Sequence, residues 1–136
     1  MDLDRALNVS AAGMAAQSAR LRVVAENLAN RDSTGTTPGA DPYRRKTVTF
    51  ERTLDRATGV ETVRPGRTGT APGEFPEHYD PHHPAADARG YVRTPNVDSL
   101  IEVMDMREAQ RSYSANLSVL ETTRGMLMRT IEALRS

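Results

Sequence analysis

The chain has 136 residues, enough for one ordinary domain. Lys plus Arg and Asp plus Glu both number 18, so net charge is zero, which disfavours nucleic acid because phosphate binding needs excess basic side chains. The absence of cysteine excludes disulfides and thiolate metal sites, and no apolar run resembles a secretory signal or a membrane span. We therefore expect no nucleic-acid partner, no direct membrane insertion and, if the chain leaves the cytoplasm, export without a cleaved signal.

The first segment, residues 1–33, is predicted to be helical. Residues 3–30 contain no proline and one glycine, and Asp2 is suited to cap the start. Steps of four and three residues define a heptad seam, the pattern of one helix lying along another. Large and small side chains alternate along this seam: Leu7, Ala11, Met14, Ser18, Leu21, Ala25 and Leu28.

The middle segment, residues 34–95, differs from the first in composition. It holds all eight prolines and seven of the nine glycines, a density that excludes long helices. Residues 43–50 are rich in strand formers, and a second short strand is predicted at residues 60–63 after a turn at 57–59. Residues 64–77 are expected to form an extended loop. We therefore predict a small irregular β-hairpin and loop segment.

The last segment, residues 96–136, is again predicted to be helical. Pro95 ends the loop, Asn96 is expected to cap the helix, and Asp98 suits its first turn. Steps of four and three again define a seam: Met106, Gln110, Tyr113, Leu117, Leu120, Arg124, Leu127, Ile131 and Leu134. The polar members of this seam are Gln110 and Arg124. Either they fix the register of the helix pair, or they lie at the edge of the seam with the aliphatic part of the side chain buried and the polar end in water.

Further apolar residues lie off this second seam: Val97, Ile101, Met104, Val119 and Met126. More than one apolar face implies more than one packing neighbour. The predicted fold is mainly α, with two long terminal helices that form an antiparallel coiled-coil-like hairpin. Such a hairpin has no enclosed core. We infer that the helices complete their packing against other chains.

The only cluster that suggests site chemistry lies in residues 79–87, where two histidines and two aspartates occur close together. A metal site at Asp80, His82 and His83 is one interpretation. Adjacent histidines on an extended backbone point to opposite sides, however, so the favoured interpretation is a loop stiffened by prolines and by Asp side chains bonded to backbone amides. Nothing assembles a nucleophile, a base and an oxyanion donor, so we predict no catalysis, no cofactor and no metal.

Several motifs resemble the flagellar rod and hook family, most closely its C-type proximal rod proteins. In the first helix these are Ser10-Ala11-Ala12-Gly13-Met14 and Ala25-Glu26-Asn27-Leu28-Ala29-Asn30. In the middle they are Pro42-Tyr43-Arg44-Arg45-Lys46, Tyr79-Asp80-Pro81 with His83-Pro84 and Ala86-Asp87, Gly90-Tyr91-Val92 and Pro95-Asn96-Val97. The second helix adds Asp105-Met106, Glu108-Ala109, Arg111-Ser112-Tyr113 and Ala115-Asn116.

The resemblance implies a structural subunit of the proximal rod, the drive shaft of the basal body. The terminal helices would form an inner coiled-coil layer, assembled helically and exported to the periplasm by the flagellar type III apparatus without cleavage. Implied partners are further copies, sister rod proteins, the rod-to-ring adaptor and the membrane-embedded ring. Alternatives are another rod protein, a helical secretion adaptor or chaperone for export clients, or a metal enzyme at the histidine loop.

Two sets of site residues follow from the seams and the resemblance. The set predicted to pack between subunits comprises Leu7, Ala11, Met14, Leu21, Ala25, Leu28, Met106, Tyr113, Leu117, Leu120, Leu127 and Ile131. The set predicted to anchor loops or contact other subunits comprises Tyr43, Arg44, Arg45, Tyr79, Asp80, His83 and Asp87.

Overall fold

A computed structural model describes residues 3–136, so the predicted cap at Asp2 lies outside the described residues. Two helices enclose six short strands in sequence: α1 (Leu3–Ala29), β1 (Lys46–Thr47), β2 (Phe50–Asp55), β3 (Val60–Pro65), β4 (Gly69–Thr70), β5 (Glu77–Tyr79), β6 (Tyr91–Arg93) and α2 (Ser99–Arg135). The prediction of two terminal helices separated by small β elements is confirmed. Helices account for about half of the described residues, so "mainly α" fits only loosely.

Side-chain bonds reinforce the end of α1. The side-chain amide of Asn30 donates to the Glu26 carbonyl at 2.9 Å, and the Ser33 hydroxyl donates to Asn30 Oδ1 at 3.0 Å. The same Glu26 carbonyl accepts from the Asn30 backbone amide at 3.1 Å. The motif residue Asn30 therefore adds a second bond to the last helical carbonyls and ties the following turn to the helix.

α2 begins later than predicted, and its cap is Asp98 rather than Asn96. Asp98 Oδ1 accepts from the Leu100 amide at 3.0 Å, and the Asp98 carbonyl accepts the first helical hydrogen bond, from Glu102 N, at 3.0 Å. Asn96 instead holds the middle segment, because its Oδ1 accepts from Arg45 N at 2.7 Å. The prediction failed because both residue types cap helices well and only the tertiary contact separates them.

The strands form three antiparallel pairs, β1 with β4, β2 with β3 and β5 with β6. The hairpin of β2 and β3 turns at Gly59, whose positive φ of 71° suits glycine and whose amide donates to the Asp55 carbonyl at 2.7 Å. This agrees with the predicted turn and second strand. The β4 strand lies inside residues 64–77, which were predicted as loop.

The predicted strand at residues 43–50 was wrong in extent. Only Lys46–Thr47 joins a ladder, and Phe50 starts the next strand. The Tyr43 amide donates to the Ser33 carbonyl, and the Arg45 and Lys46 amides donate to asparagine side chains. Partners distant in sequence thus replace the strand neighbour that the local pattern implied.

The chain divides into two compact units. Among the described residues, the first contains residues 3–21, 48–67 and 107–136, and hence most of both helices and the β2–β3 hairpin. The second contains residues 22–47 and 68–106, and hence the end of α1, the start of α2 and the other two strand pairs. No helix among residues 3–136 is long and apolar enough to cross a membrane.

Candidate subunit interface and the cluster that supports it

The residues predicted to pack between subunits differ in exposure. Most large apolar members of the two seams are half-buried: Leu7, Met14, Leu21, Leu28, Met106, Tyr113, Leu117, Leu120 and Leu127. Ala11, Ala25 and Ile131 are exposed, as are the polar seam positions Gln110 and Arg124. Exposed apolar positions on a helix are available to a neighbouring chain.

The most buried helical positions are small or polar, and sequence analysis missed them. In α1 they are Ser10, Ala16, Val24 and Asn27, and in α2 they are Glu102, Ala109 and Thr123. Those of α2 fall on multiples of seven residues, which is the signal that could have revealed them. A search for large apolar residues overlooks this seam because its members are short or charged.

In the first unit, Gly13 of α1 lies against the side chain of Asn116 of α2. A Cβ at this position would lie 2.9 Å from the side-chain amide of Asn116, too close for any side chain without movement. In the same unit Arg20 Nη2 lies 3.4 Å from Glu108 Oε2. Small residues at such contacts allow a short distance between helix axes.

α2 carries a large set of exposed apolar side chains along its length. They are Leu100, Ile101, Val103, Met104, Val119, Met126, Met128, Ile131 and Leu134. Scattered single exposed apolar residues are ordinary at a protein surface, but this helix carries nine, in residues 100–104 and 119–134. We call these residues the outward set.

A buried polar cluster joins the two helices to the middle segment within the second unit. Glu102 is fully buried, and its carboxylate accepts from Arg45 Nε at one oxygen and from Asn27 Nδ2, at 3.4 Å, at the other. Arg45 Nη2 also lies 3.5 Å from Asp105 Oδ2. Satisfied in this way, a buried carboxylate is held in place, because losing one partner would leave its charge buried and uncompensated.

Asn27 acts as a clamp on β1. Its Oδ1 accepts from Lys46 N at 2.9 Å and its Nδ2 donates to Lys46 O at 2.9 Å, so one side-chain amide pairs with both backbone groups of one residue. The Tyr43 hydroxyl donates to the same Oδ1 at 2.7 Å. Asn27 thus bonds to the free side of a strand whose other side pairs with β4.

Two titratable groups beside this clamp have shifted pKa values. Burial raises the pKa of Tyr43, and the nearby Glu26 carboxylate raises it further. The hydrogen bond from Lys46 Nζ to Glu26 raises the pKa of Lys46. Both shifts favour the protonated forms, in which these side chains donate hydrogen bonds.

Arg44 secures the segment next to β4. Its Nη1 donates to the carbonyls of Ala71 and Gly73, both at 2.9 Å, and its guanidinium lies 4.3 Å from the centre of the Phe75 ring. A cation over an aromatic face adds attraction to the hydrogen bonds. Arg44 therefore holds loop backbone and Phe75 within this chain.

The loop between β5 and β6 is organised by Asp87. Its Oδ1 accepts from the amides of Arg89 and Tyr91, at 2.9 and 3.0 Å. The Tyr91 amide is the main cause of a lowered pKa at Asp87, and the Arg89 amide lowers it further. The predicted bonding of Asp87 to backbone amides is present, whereas Asp80 takes part through its backbone amide and carbonyl.

Each ring nitrogen of His83 takes part in a hydrogen bond that holds a loop. Nδ1 accepts from the Ala85 amide at 3.0 Å, so in the neutral ring Nε2 carries the proton and donates to Thr34 Oγ1 at 3.3 Å. Within residues 3–136 no three His, Asp or Glu side chains form a group that could hold a metal.

Tyr79 ends β5 and packs edge-to-face on its strand partner Tyr91, the first residue of β6, with 5.5 Å between ring centres. Gly90 has a positive φ of 85°, and a Cβ there would lie 2.8 Å from the Tyr79 ring. Both rings are exposed, Tyr79 more than Tyr91. The strand pair therefore presents an exposed aromatic pair beside the loop.

Comparison with known proteins identifies the family. Residues 7–36 match the flagella basal body rod protein model, and residues 88–133 match the flagellar basal body rod FlgEFG protein C-terminal model. The chain is 53% identical to the flagellar basal-body rod protein FlgC of Agrobacterium fabrum over 134 residues, which covers 98% of this chain and 96% of the relative.

More distant relatives carry the same name. Identity is 41% to FlgC of Salmonella typhimurium, covering 96% of this chain and 97% of the relative, and 37% to FlgC of Bacillus subtilis, covering 93% and 94%. The secretion-adaptor alternative has no support among these matches. The chain therefore belongs to the FlgC family of flagellar basal-body rod proteins.

Proposed function

We propose that this chain works by packing: its terminal helices pair as an antiparallel coiled-coil-like hairpin, and its outward set docks on other subunits of the flagellar rod. As a member of the FlgC family, it is a structural subunit of the flagellar basal-body rod. The bonded polar residues described above hold backbone segments in place, and we propose no catalytic role for them.

Helix contacts in each unit support the hairpin. In the first unit, α1 advances seven residues from Gly13 to Arg20 while α2 steps back eight from Asn116 to Glu108. In the second unit, Asn27 and Glu102 are bonded. Opposite chain directions at successive contacts are the sign of antiparallel helices, and α2 buries residues at seven-residue spacing as coiled coils do.

The outward set is the observation that carries the docking proposal. Val119, for example, lies on the first unit's part of α2 and is 51% exposed. At roughly 25 cal/mol per Å² of apolar surface, burying nine such side chains contributes several kcal/mol or more to assembly. That is comparable to the total stability of about 5–15 kcal/mol of an ordinary domain.

The partners follow from the rod assignment. We propose contacts with further copies of this chain, sister rod proteins, the rod-to-ring adaptor and the membrane-embedded ring. We further propose export by the flagellar type III apparatus without cleavage and a periplasmic location in the proximal rod. Many helix contacts loaded in parallel would transmit torque without sliding, since each is weak and their sum is large.

The remaining predicted site residues fit roles in this assembly. Tyr43, Arg44 and Arg45 would fix the middle segment on the helices. Asp80, His83 and Asp87 would brace the loop beside the strand pair that presents Tyr79 to a neighbouring subunit. Exposed tyrosine is suited to an interface, because its ring buries area at little entropic cost.

A charge placed in the outward set tests the docking proposal. Val119→Asp should leave the helix content of the isolated chain unchanged, because the side chain is already half in water. It should abolish rod assembly and swimming, because an unpaired carboxylate would be buried between subunits. Ser118→Asp is the matched control, with the same charge on the adjacent exposed polar position.

The hairpin is tested separately by Leu21→Asp and Leu120→Asp, which place a charge at half-buried seam positions. Both should lower the thermal midpoint of the isolated chain as well as abolish swimming. Normal swimming in cells that carry only Val119→Asp would overturn the docking proposal, and normal stability of both seam variants would overturn the hairpin.

A further inference from the structure

At the start of α2 a charged residue is buried, whereas apolar residues are exposed. Glu102 is completely buried, whereas Leu100 is 69% exposed and Met104 is 61% exposed. Successive residues of an α-helix lie about 100° apart, so positions two residues from Glu102 lie about 160° away around the axis. Burying Glu102 therefore forces Leu100 and Met104 outward.

For Leu100, Glu102 and Met104 taken by themselves, the opposite setting of this helix start would satisfy the hydrophobic effect better. Turned about its axis, the first turn would bury Leu100 and Met104 and return the carboxylate of Glu102 to water, and apolar burial and charge hydration both favour that exchange. Ala109, one heptad further along, is fully buried on the same face as Glu102 and favours the observed setting. At the helix start itself, a further restraint is needed to offset the cost at these three residues.

The buried cluster supplies that restraint. Both oxygens of Glu102 are bonded, one to Arg45 and one to Asn27. Arg45 cannot follow the helix if it turns, because its amide donates to Asn96 at 2.7 Å and its carbonyl accepts from Ala71 N at 2.8 Å. Asn27 is likewise bonded to the backbone of Lys46.

We propose that Arg45 and Asn27 are positioning residues that set which face α2 turns outward, by holding Glu102 inside. The buried ion pair then fixes the setting of the helix start, and this keeps Leu100 and Met104 exposed and available to another subunit. This inference deepens the proposed function, since it explains how part of the outward set stays outward before a partner covers it.

Thiol labelling of the full-length chain in dilute solution tests the inference. The chain has no cysteine, so Leu100→Cys or Met104→Cys introduces a single reporter. Arg45→Met leaves Glu102 without its cation, and the helix start should turn the charge to water and the reporter inward. Labelling of each reporter should slow about tenfold or more, because a buried thiol reacts only through local opening.

Two further variants make the result specific. Adding Glu102→Leu to Arg45→Met should restore fast labelling, because burial stabilises a leucine at position 102 and so keeps the reporter exposed. Arg44→Met is the matched control, because Arg44 bonds to carbonyls of the neighbouring segment and not to Glu102, and it should leave labelling unchanged.

Labelling of the reporters that stays the same or becomes faster in Arg45→Met, including through detachment or unfolding of the helix start, would overturn the inference. The measurement uses the isolated chain, so its outcome is independent of rod assembly. The swimming test of Val119→Asp can fail or succeed separately, and the two failures are therefore distinguishable.

Discussion

Asp87 shows how one side chain can make a loop sensitive to acid. Its pKa is lowered by the amides of Tyr91 and Arg89, so the folded chain holds this proton more weakly than the unfolded chain does. The stabilisation is therefore fully present above the unfolded pKa, near 3.9, and is lost as the pH falls through the folded value. Asp87→Asn should reduce the fall in thermal midpoint between about pH 5 and pH 3. An equal fall in both proteins would contradict the assignment.

Tyr43 makes the opposite prediction at high pH. Its pKa is raised, chiefly by burial, so its contribution is complete below the unfolded pKa of about 10 and is lost as the pH rises through the folded value. Tyr43→Phe should cost about 1 kcal/mol at neutral pH through the lost bond to Asn27. It should also lose less stability than the parent above about pH 10. Denaturant titrations at both pH values would check this, and the main cause of the raised pKa of Lys46, its hydrogen bond to Glu26, is common to both proteins.

His83 offers a test that separates its two ring nitrogens. Asparagine places an amide oxygen near the position of Nδ1 and can still accept from the Ala85 amide, which alanine cannot do. His83→Ala should lose about 1–2 kcal/mol of unfolding free energy, and His83→Asn should recover part of that loss. Equal losses in the two variants would mean that the Nδ1 bond contributes nothing measurable.

At the scale of elements, the sequence predicts those features that depend on interactions between residues close together in the chain. The helices, the Gly59 turn and the bonding of Asp87 to backbone amides follow from composition and from short-range preferences. The strand at 43–50 and the cap of α2 were misplaced because Asn27 and Asn96 bond to backbone far away in sequence. The buried pairing of Glu102 with Arg45 is also long-range, and an apolar search cannot find it.

The clamp on β1 predicts a large difference between two asparagines of one motif. Asn27→Ala removes bonds to Tyr43, Lys46 and Glu102 and leaves buried groups without partners, so it should cost about 3 kcal/mol or more. Asn30→Ala removes only the side-chain bonds to Glu26 and Ser33 at the partly exposed end of α1 and should cost about 1 kcal/mol. Urea midpoints of the two variants give the comparison, and equal midpoints would refute the clamp.

On the scale of the whole molecule, α2 is exposed to solvent along its last two turns. Every residue from 128 to 136 is exposed, although Met128, Ile131 and Leu134 are apolar. Short helical ends without packing are marginal in water, because propensity alone barely offsets the entropy of ordering. We therefore expect this end to be the least stable part of the helix until another subunit covers it.

Hydrogen exchange measures this directly. In a dilute monomer, amides of residues 128–135 should exchange rapidly, whereas the part of α2 around buried Ala109 should be protected. In assembled rods the protection of both regions should become similar, because intersubunit burial then offsets the ordering entropy. Strong protection of residues 128–135 in the dilute monomer would mean that this end is stable alone. Assembly would then join preformed surfaces and would not complete the fold.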